Sequence, residues 1–134
     1  MAAALAVAMA ASAGAQTVVD GDTLRLGGTT YRLWGIDAPE RGQSCDGWPG
    51  GAEATRALSA LMHGKAVACE ARTRDRYGRT VALCRADGAD LSAAMVSAGM
   101  AWAFVRYSQD YVAEEAAARA AGLGVHAHGC VPRR

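Results

Sequence analysis

Cys69 and Cys84 occupy matching positions on two short alternating stretches, and this constrains the chain more than any other feature. Val67, Cys69 and Ala71 alternate on the first stretch and Ala82 and Cys84 on the second, with a turn-like Asp75-Arg76-Tyr77-Gly78 between them. A hairpin centred on that turn, with strands at 65–72 and 80–85, sets Cys69 directly opposite Cys84. Cross-strand Cα atoms lie about 4.5–5.5 Å apart, within reach of a disulfide. The four cysteines form no C-x-x-C pair, which argues against a zinc ribbon. An even count allows two disulfides in three connectivities. The hairpin favours Cys69–Cys84 and leaves Cys45 for Cys130, tying a long loop to the C-terminal tail. The alternative is four reduced, buried thiols.

Around the hairpin, the residue pattern predicts strands at 17–26 and 29–36, joined by a Gly27-Gly28 turn. A loop rich in Pro, Gly, Ser and Asp follows at 37–51. Ala54, Ala57, Leu58, Leu61 and Met62 recur at helical spacing, with Gly64 as a stop. Asp90 is placed to cap a short helix carrying Leu91, Ala94, Met95 and Ala98 on one face and ending at Gly99. The segment 100–105 reads as a strand or extended loop. A third helix is expected over 110–121, with a Glu115–Arg119 pair. Strands and helices are segregated, which suggests an α+β domain: a small barrel closed by helices, spanning 16–134.

The first fifteen residues are apolar and uncharged and end in Ala13-Gly14-Ala15. They read as a cleavable signal segment, 1–15, giving a mature start at Gln16 and no membrane anchor afterwards. Export to the periplasm or medium agrees with disulfides. A signal segment should carry a basic residue near its start; this one has none. The rival reading is an Ala-rich helix retained in the mature protein. With a formal net charge of +1 the chain is no polycation, so any nucleic-acid contact must come from locally placed Arg. The cations are thirteen Arg and a single Lys, Lys65. Arg brings a rigid bidentate fork suited to phosphate.

Two acidic islands flank the first hairpin: Asp20-Gly21-Asp22-Thr23 and Asp37-Ala38-Pro39-Glu40. The turn lets Asp22 approach Arg32, while Asp37 and Glu40 follow the second strand. Carboxylates converging in this way call for a cation, and hard oxygens suit Ca²⁺ or Mg²⁺. Arg79 leaves the other hairpin beside the same region. Carboxylates around a metal together with two Arg make a constellation for phosphoryl transfer. In the tail, His126-Ala127-His128-Gly129-Cys130 would bind a soft metal only if Cys130 were a free thiol. His63 reads as a dipole-favoured helix end.

Taken in order, Asp20-Gly21-Asp22-Thr23, Arg32-Leu33-Trp34-Gly35-Ile36-Asp37-Ala38-Pro39-Glu40 and Asp75-Arg76-Tyr77-Gly78-Arg79 resemble the staphylococcal nuclease (thermonuclease) family. The likeness continues from Val18 to Val125. It implies an OB-type five-stranded barrel with three helices, and a calcium-dependent endonuclease for DNA and RNA that leaves 3′-phosphates. By the same resemblance, Asp22 and Asp37 are metal carboxylates and Ala38 supplies a backbone carbonyl to the metal. Asp20 supports that site. Glu40 is the general base or water orienter, and Arg32 and Arg79 hold the scissile phosphate. Tyr77 lies near the nucleotide phosphate. Tyr107 is the better candidate for a base contact, with Trp102 and Phe104 divided between base contact and core. Single strands and a monomer are expected. A competing class is a nucleic-acid-binding OB module without catalysis; its mark would be loss of Glu40, Arg32 or Arg79, and all three are present. A third is a disulfide-stabilised secreted interaction domain, which leaves the acidic islands' pairing with Arg unexplained.

Overall fold

The structure is a computed structural model that describes residues 15–132; apart from Ala15, the predicted signal segment lies outside the described residues. Three strands, β1 (Gln16–Asp20), β2 (Thr23–Leu26) and β3 (Thr29–Leu33), form an antiparallel meander. The expected strand at 17–26 is thus two strands. Its register slips between Val18 and Asp20, Asp20 pairs with Thr23, and the Asp20 carboxylate accepts the Asp22 N–H at 3.1 Å. An Asp side chain that captures the backbone two residues on makes a turn where alternation alone reads as continuous strand.

The expected strand at 29–36 also breaks. Gly35 has φ +74°, and a Cβ there would fall 2.8 Å from the Tyr111 ring, so the position needs glycine for both conformation and space. Beyond it, β4 (Ile36–Asp37) leaves the main sheet and pairs with β8 (Trp102–Ala103), the only strand residues of the 100–105 segment. Helix α1 (Gly50–Met62) starts four residues before the periodic face and buries Ala54, Leu58 and Met62.

The central hairpin is as expected. β5 (Val67–Arg74) and β6 (Thr80–Ala86) pair with Cys69 opposite Cys84, disulfide-bonded at a Cα–Cα distance of 4.0 Å. After β7 (Ala89–Asp90), the Asp90 carboxylate accepts the Ala93 N–H at 3.1 Å and caps α2 (Leu91–Ser97). The buried face of α2 is Leu91, Ser92, Met95 and Val96. It is turned from the expected Leu91/Ala94/Met95/Ala98 face because Ser92 is drawn inward to donate its hydroxyl to the Trp34 carbonyl at 2.8 Å. Helix α3 (Val112–Ala120) begins after Asp110 and Tyr111, and a 3₁₀ turn (Gly124–His126) follows. The Glu115–Arg119 pair forms at 3.7 Å, and His63 is the residue capping the end of α1.

The main sheet runs β1-β2-β3-β6-β5, with β7 on β6. Its one parallel pairing among the described strands is β3 with β6, Tyr31 to Leu33 against Thr80 to Ala82. The architecture is α+β of OB type, with five strands in the main path and three helices. One correction concerns closure: the backbone ladder stays open between β1 and β5. The Gln16 side chain crosses the gap instead, donating to the Lys65 carbonyl and accepting the Val67 N–H, both at 3.0 Å.

Leu24, Leu33, Ile36, Leu58, Leu91 and Met95 form the fully buried centre, each contributing about 1.5–3 kcal/mol by leaving water. A second cluster joins Cys45, Trp102, Val125 and Cys130, with Trp48 against it. Trp102 is therefore a core residue. Cys45 and Cys130 are disulfide-bonded, and the His128 ring stacks on Trp48 with centroids 4.5 Å apart. The soft-metal reading of the tail loses its thiolate. Among the described residues, no helix is long and apolar enough to cross a membrane.

Candidate active site

The segments after β3, between β5 and β6 and after β8 border one cleft of about 340 Å³. It is lined by Arg32, Asp37, Ala38 and Glu40 from the first half of the chain. Asp75, Arg76, Tyr77 and Arg79 come from the central hairpin, and Phe104, Arg106 and Tyr107 from the segment after β8. Of the nine residues singled out for metal, substrate or catalysis, seven border it. Asp22 and Asp20 stand behind.

Arg32 is the link to that rear layer. Its Nη1 lies 2.7 Å from Asp22 Oδ2 and its Nη2 3.4 Å from Asp37 Oδ1. Nη1 is buried against Asp22 in that ion pair. Asp22 is buried with both oxygens engaged: Oδ1 accepts the Thr23 hydroxyl at 3.0 Å, and Oδ2 accepts the Ala38 N–H at 2.9 Å. Burial, then the neighbouring Asp22 charge, pushes the Asp20 carboxyl up to about 6. The backbone approach is tight as well. A Cβ on Gly21 would fall 2.6 Å from the Ala54 Cβ and 2.9 Å from the Ala38 Cβ, so glycine lets the two acidic islands meet over α1.

The donors assembled here are carboxylates and a peptide, hard oxygens that fit Ca²⁺ or Mg²⁺ by type. They are not a ready-made cage. Among the described residues no group of three or more His, Cys, Asp or Glu is spaced to hold a metal ion, and Arg32 already stands between Asp22 and Asp37.

Arg79 is fixed by its own turn. Asp75 Oδ1 accepts the N–H groups of Tyr77 and Arg79, both at 2.9 Å, and Oδ2 accepts Arg79 Nε at 2.6 Å. Burial alone would raise the Asp75 carboxyl, but these donors and the guanidinium charge together hold it below its ordinary value. Tyr77 is 71% exposed, and the guanidinium carbons of Arg76 and Arg79 lie 5.1 and 5.6 Å from its ring centroid. Tyr107 is 54% exposed and meets Phe104 edge-on at 4.8 Å. Glu40 is exposed at the cleft rim.

Sequence reasoning placed Asp75 and Arg76 in the hairpin turn without a site role, and gave none to Arg106 or Gln43. An Asp two residues before Tyr77 and four before Arg79 is a readable turn signal; nothing local marks the other three.

A family model described as "Staphylococcal nuclease homologue" matches residues 30–127. The chain belongs to the staphylococcal nuclease family. Among relatives, an "Uncharacterized endonuclease" of Haemophilus influenzae is 35% identical over 82% of this chain and 63% of its own length. The "Succinoglycan biosynthesis protein ExoI" of Rhizobium meliloti is 39% identical over 66% of this chain and 50% of its own. The "Probable staphylococcal-like nuclease CAN1" of rice is 38% identical over 58% and 22%. The chain thus spans between half and two thirds of the first two. The family match includes Arg32, Asp37, Glu40 and Arg79 and begins after Asp20 and Asp22.

Proposed function

We propose that this protein is a calcium-dependent endonuclease that hydrolyses phosphodiester bonds of DNA and RNA, leaving 3′-phosphates. The observation carrying this reading is that two guanidinium groups from separate hairpins, Arg32 and Arg79, share one cleft with the Glu40 carboxylate. Nuclease-family membership makes phosphodiester the natural substrate.

In this reading Glu40 takes a proton from a water that attacks phosphorus in line, the P–O5′ bond breaks, and the departing 5′-oxygen takes up a proton from solvent, leaving a 3′-phosphate. Arg32 and Arg79 hold the non-bridging oxygens and offset the charge that grows on them. The Asp75 ion pair fixes the Arg79 fork before substrate arrives, so little reorganisation remains for the reaction. Asp22, Asp37 and the Ala38 carbonyl would hold Ca²⁺, with Asp20 in support and water completing the shell. Bound there, the ion would add Lewis-acid stabilisation of phosphate charge. Tyr107, with Phe104 behind it, offers a base-stacking surface and favours single strands; Tyr77 sits against the phosphates. The protein acts as a monomer in the periplasm or outside the cell, a placement supported by its two disulfides.

The test is digestion of heat-denatured DNA, with calcium and with a chelator, beside Glu40→Gln. Cleavage that needs calcium and falls in the variant is the expected result. Intact DNA from folded, oxidised protein under every condition would leave a binding module instead.

A further inference from the structure

The loop 37–49 bears Glu40 at its exposed rim but has no helix and no strand beyond Asp37. One buried residue ties down its Glu40 end. Gln43 is buried while its neighbours Arg41, Gly42 and Ser44 are exposed. Its Oε1 accepts the Glu40 N–H at 3.0 Å, and its own N–H donates to the Glu40 carbonyl at 2.8 Å. Both peptide groups of Glu40 are therefore bonded to one residue. The Gln43 carbonyl accepts the Gly51 N–H at 3.0 Å, and its Nε2 donates to the Val131 carbonyl at 3.4 Å. Gly51 closes the remaining side: a Cβ there would fall 2.0 Å from the Glu40 carbonyl oxygen.

Val131 is itself held. It follows Cys130, whose disulfide runs to Cys45, two residues after Gln43. The Trp48–His128 stack lies beside that bond. These tail contacts, from His128 onward, lie outside the span matched by the family model.

We propose that Gln43 is a positioning residue for Glu40, and that the disulfide-held tail at Cys130 and Val131 is part of the scaffold that keeps the carboxylate in register with Arg32 and Arg79. The inference rests on the assignment of Glu40 as base. A loop carboxylate contributes to catalysis only when held within a fraction of an ångström, and a misplacement of about 1 Å costs about 10²-fold in rate. A bracket binding both peptides of Glu40 supplies that restraint, and the tail prevents the bracket from swinging out.

The test combines kinetics with hydrogen exchange. Gln43→Leu removes both side-chain bonds; Gln43→Glu keeps an acceptor for the Glu40 N–H but loses the donor to Val131 and sets a carboxylate oxygen against that carbonyl. Gln43→Leu is expected to lower kcat by about 10- to 100-fold with KM within about two-fold of wild type, and Gln43→Glu to lower it by less than Gln43→Leu but measurably below wild type. In a Glu40→Gln background, Gln43→Leu should cost less than about two-fold, because the group it positions is gone. An equal loss in both backgrounds, or a loss confined to KM, overturns the proposal.

Exchange at the Glu40 amide needs no activity. It should quicken at least about ten-fold in Gln43→Leu and in the paired Cys45→Ser/Cys130→Ser protein, well below their melting temperatures. Unchanged exchange in Gln43→Leu, or in the cysteine pair if the leucine variant does not fold, also overturns the proposal. If wild-type protein fails to cut nucleic acid, the nuclease reading falls, and the exchange measurement still decides whether Gln43 holds Glu40.

Discussion

Arg79 has its Nε edge committed to Asp75, so the two act as one unit. The depressed Asp75 carboxyl stabilises the fold above its unfolded value of 3.8, and that contribution disappears as pH falls through the lower folded value. Wild type should therefore lose stability more steeply than Asp75→Asn between about pH 5 and pH 2, read from urea midpoints across that range. At pH 7 the same variant should be slower, because Arg79 is no longer held. Arg79→Ala and Arg32→Ala should each lower kcat by about 10²–10³-fold in steady-state digestion, the loss seen when one donor to a developing oxyanion is removed. Gly51→Ala tests space rather than charge. Its methyl would meet the Glu40 carbonyl, and the forced shift should cost about 1–3 kcal/mol in denaturant unfolding.

Two disulfides staple different elements, and their effects should differ. Cys69–Cys84 joins positions 15 apart inside a hairpin that also pairs by backbone, whereas Cys45–Cys130 joins positions 85 apart. By loop-closure entropy, removing the first pair should cost about 3 kcal/mol and the second more than 4 kcal/mol, compared by urea unfolding of the two double-serine proteins. The central hairpin was legible in the sequence because its turn, alternation and cysteine register are all local. The cap at Asp90 was legible for the same reason. The break at Gly35 was not, since it depends on Tyr111 from elsewhere in the chain; the break at Gly21 carried a local turn signal in Asp20 that the alternation masked. The early start of α1 was hidden because Gly50 and Gly51 are poor helix formers; they are helical where the chain packs against the Glu40 loop. The cleft's main residues were readable as motifs. Gln43 was not, because its partner in the tail lies 88 positions away.

For the whole molecule, charge is local rather than general. The net charge is +1, yet Arg32, Arg76, Arg79 and Arg106 all line one cleft. Four phosphate contacts at most give a slope of log K against log salt no steeper than about −3 for single strands. Fluorescence anisotropy with labelled oligonucleotide and the Glu40→Gln protein measures that slope, and Arg106→Ala should make it shallower by about 0.7. The cleft also straddles the parallel joint of β3 with β6, and this governs when it exists. Each hairpin forms within its own stretch of chain in microseconds, but the joint waits for segments some fifty residues apart to meet. In a nascent or half-folded chain Glu40 and Arg79 therefore lie on separate pieces, and the cleft that the proposed cleavage requires does not yet exist.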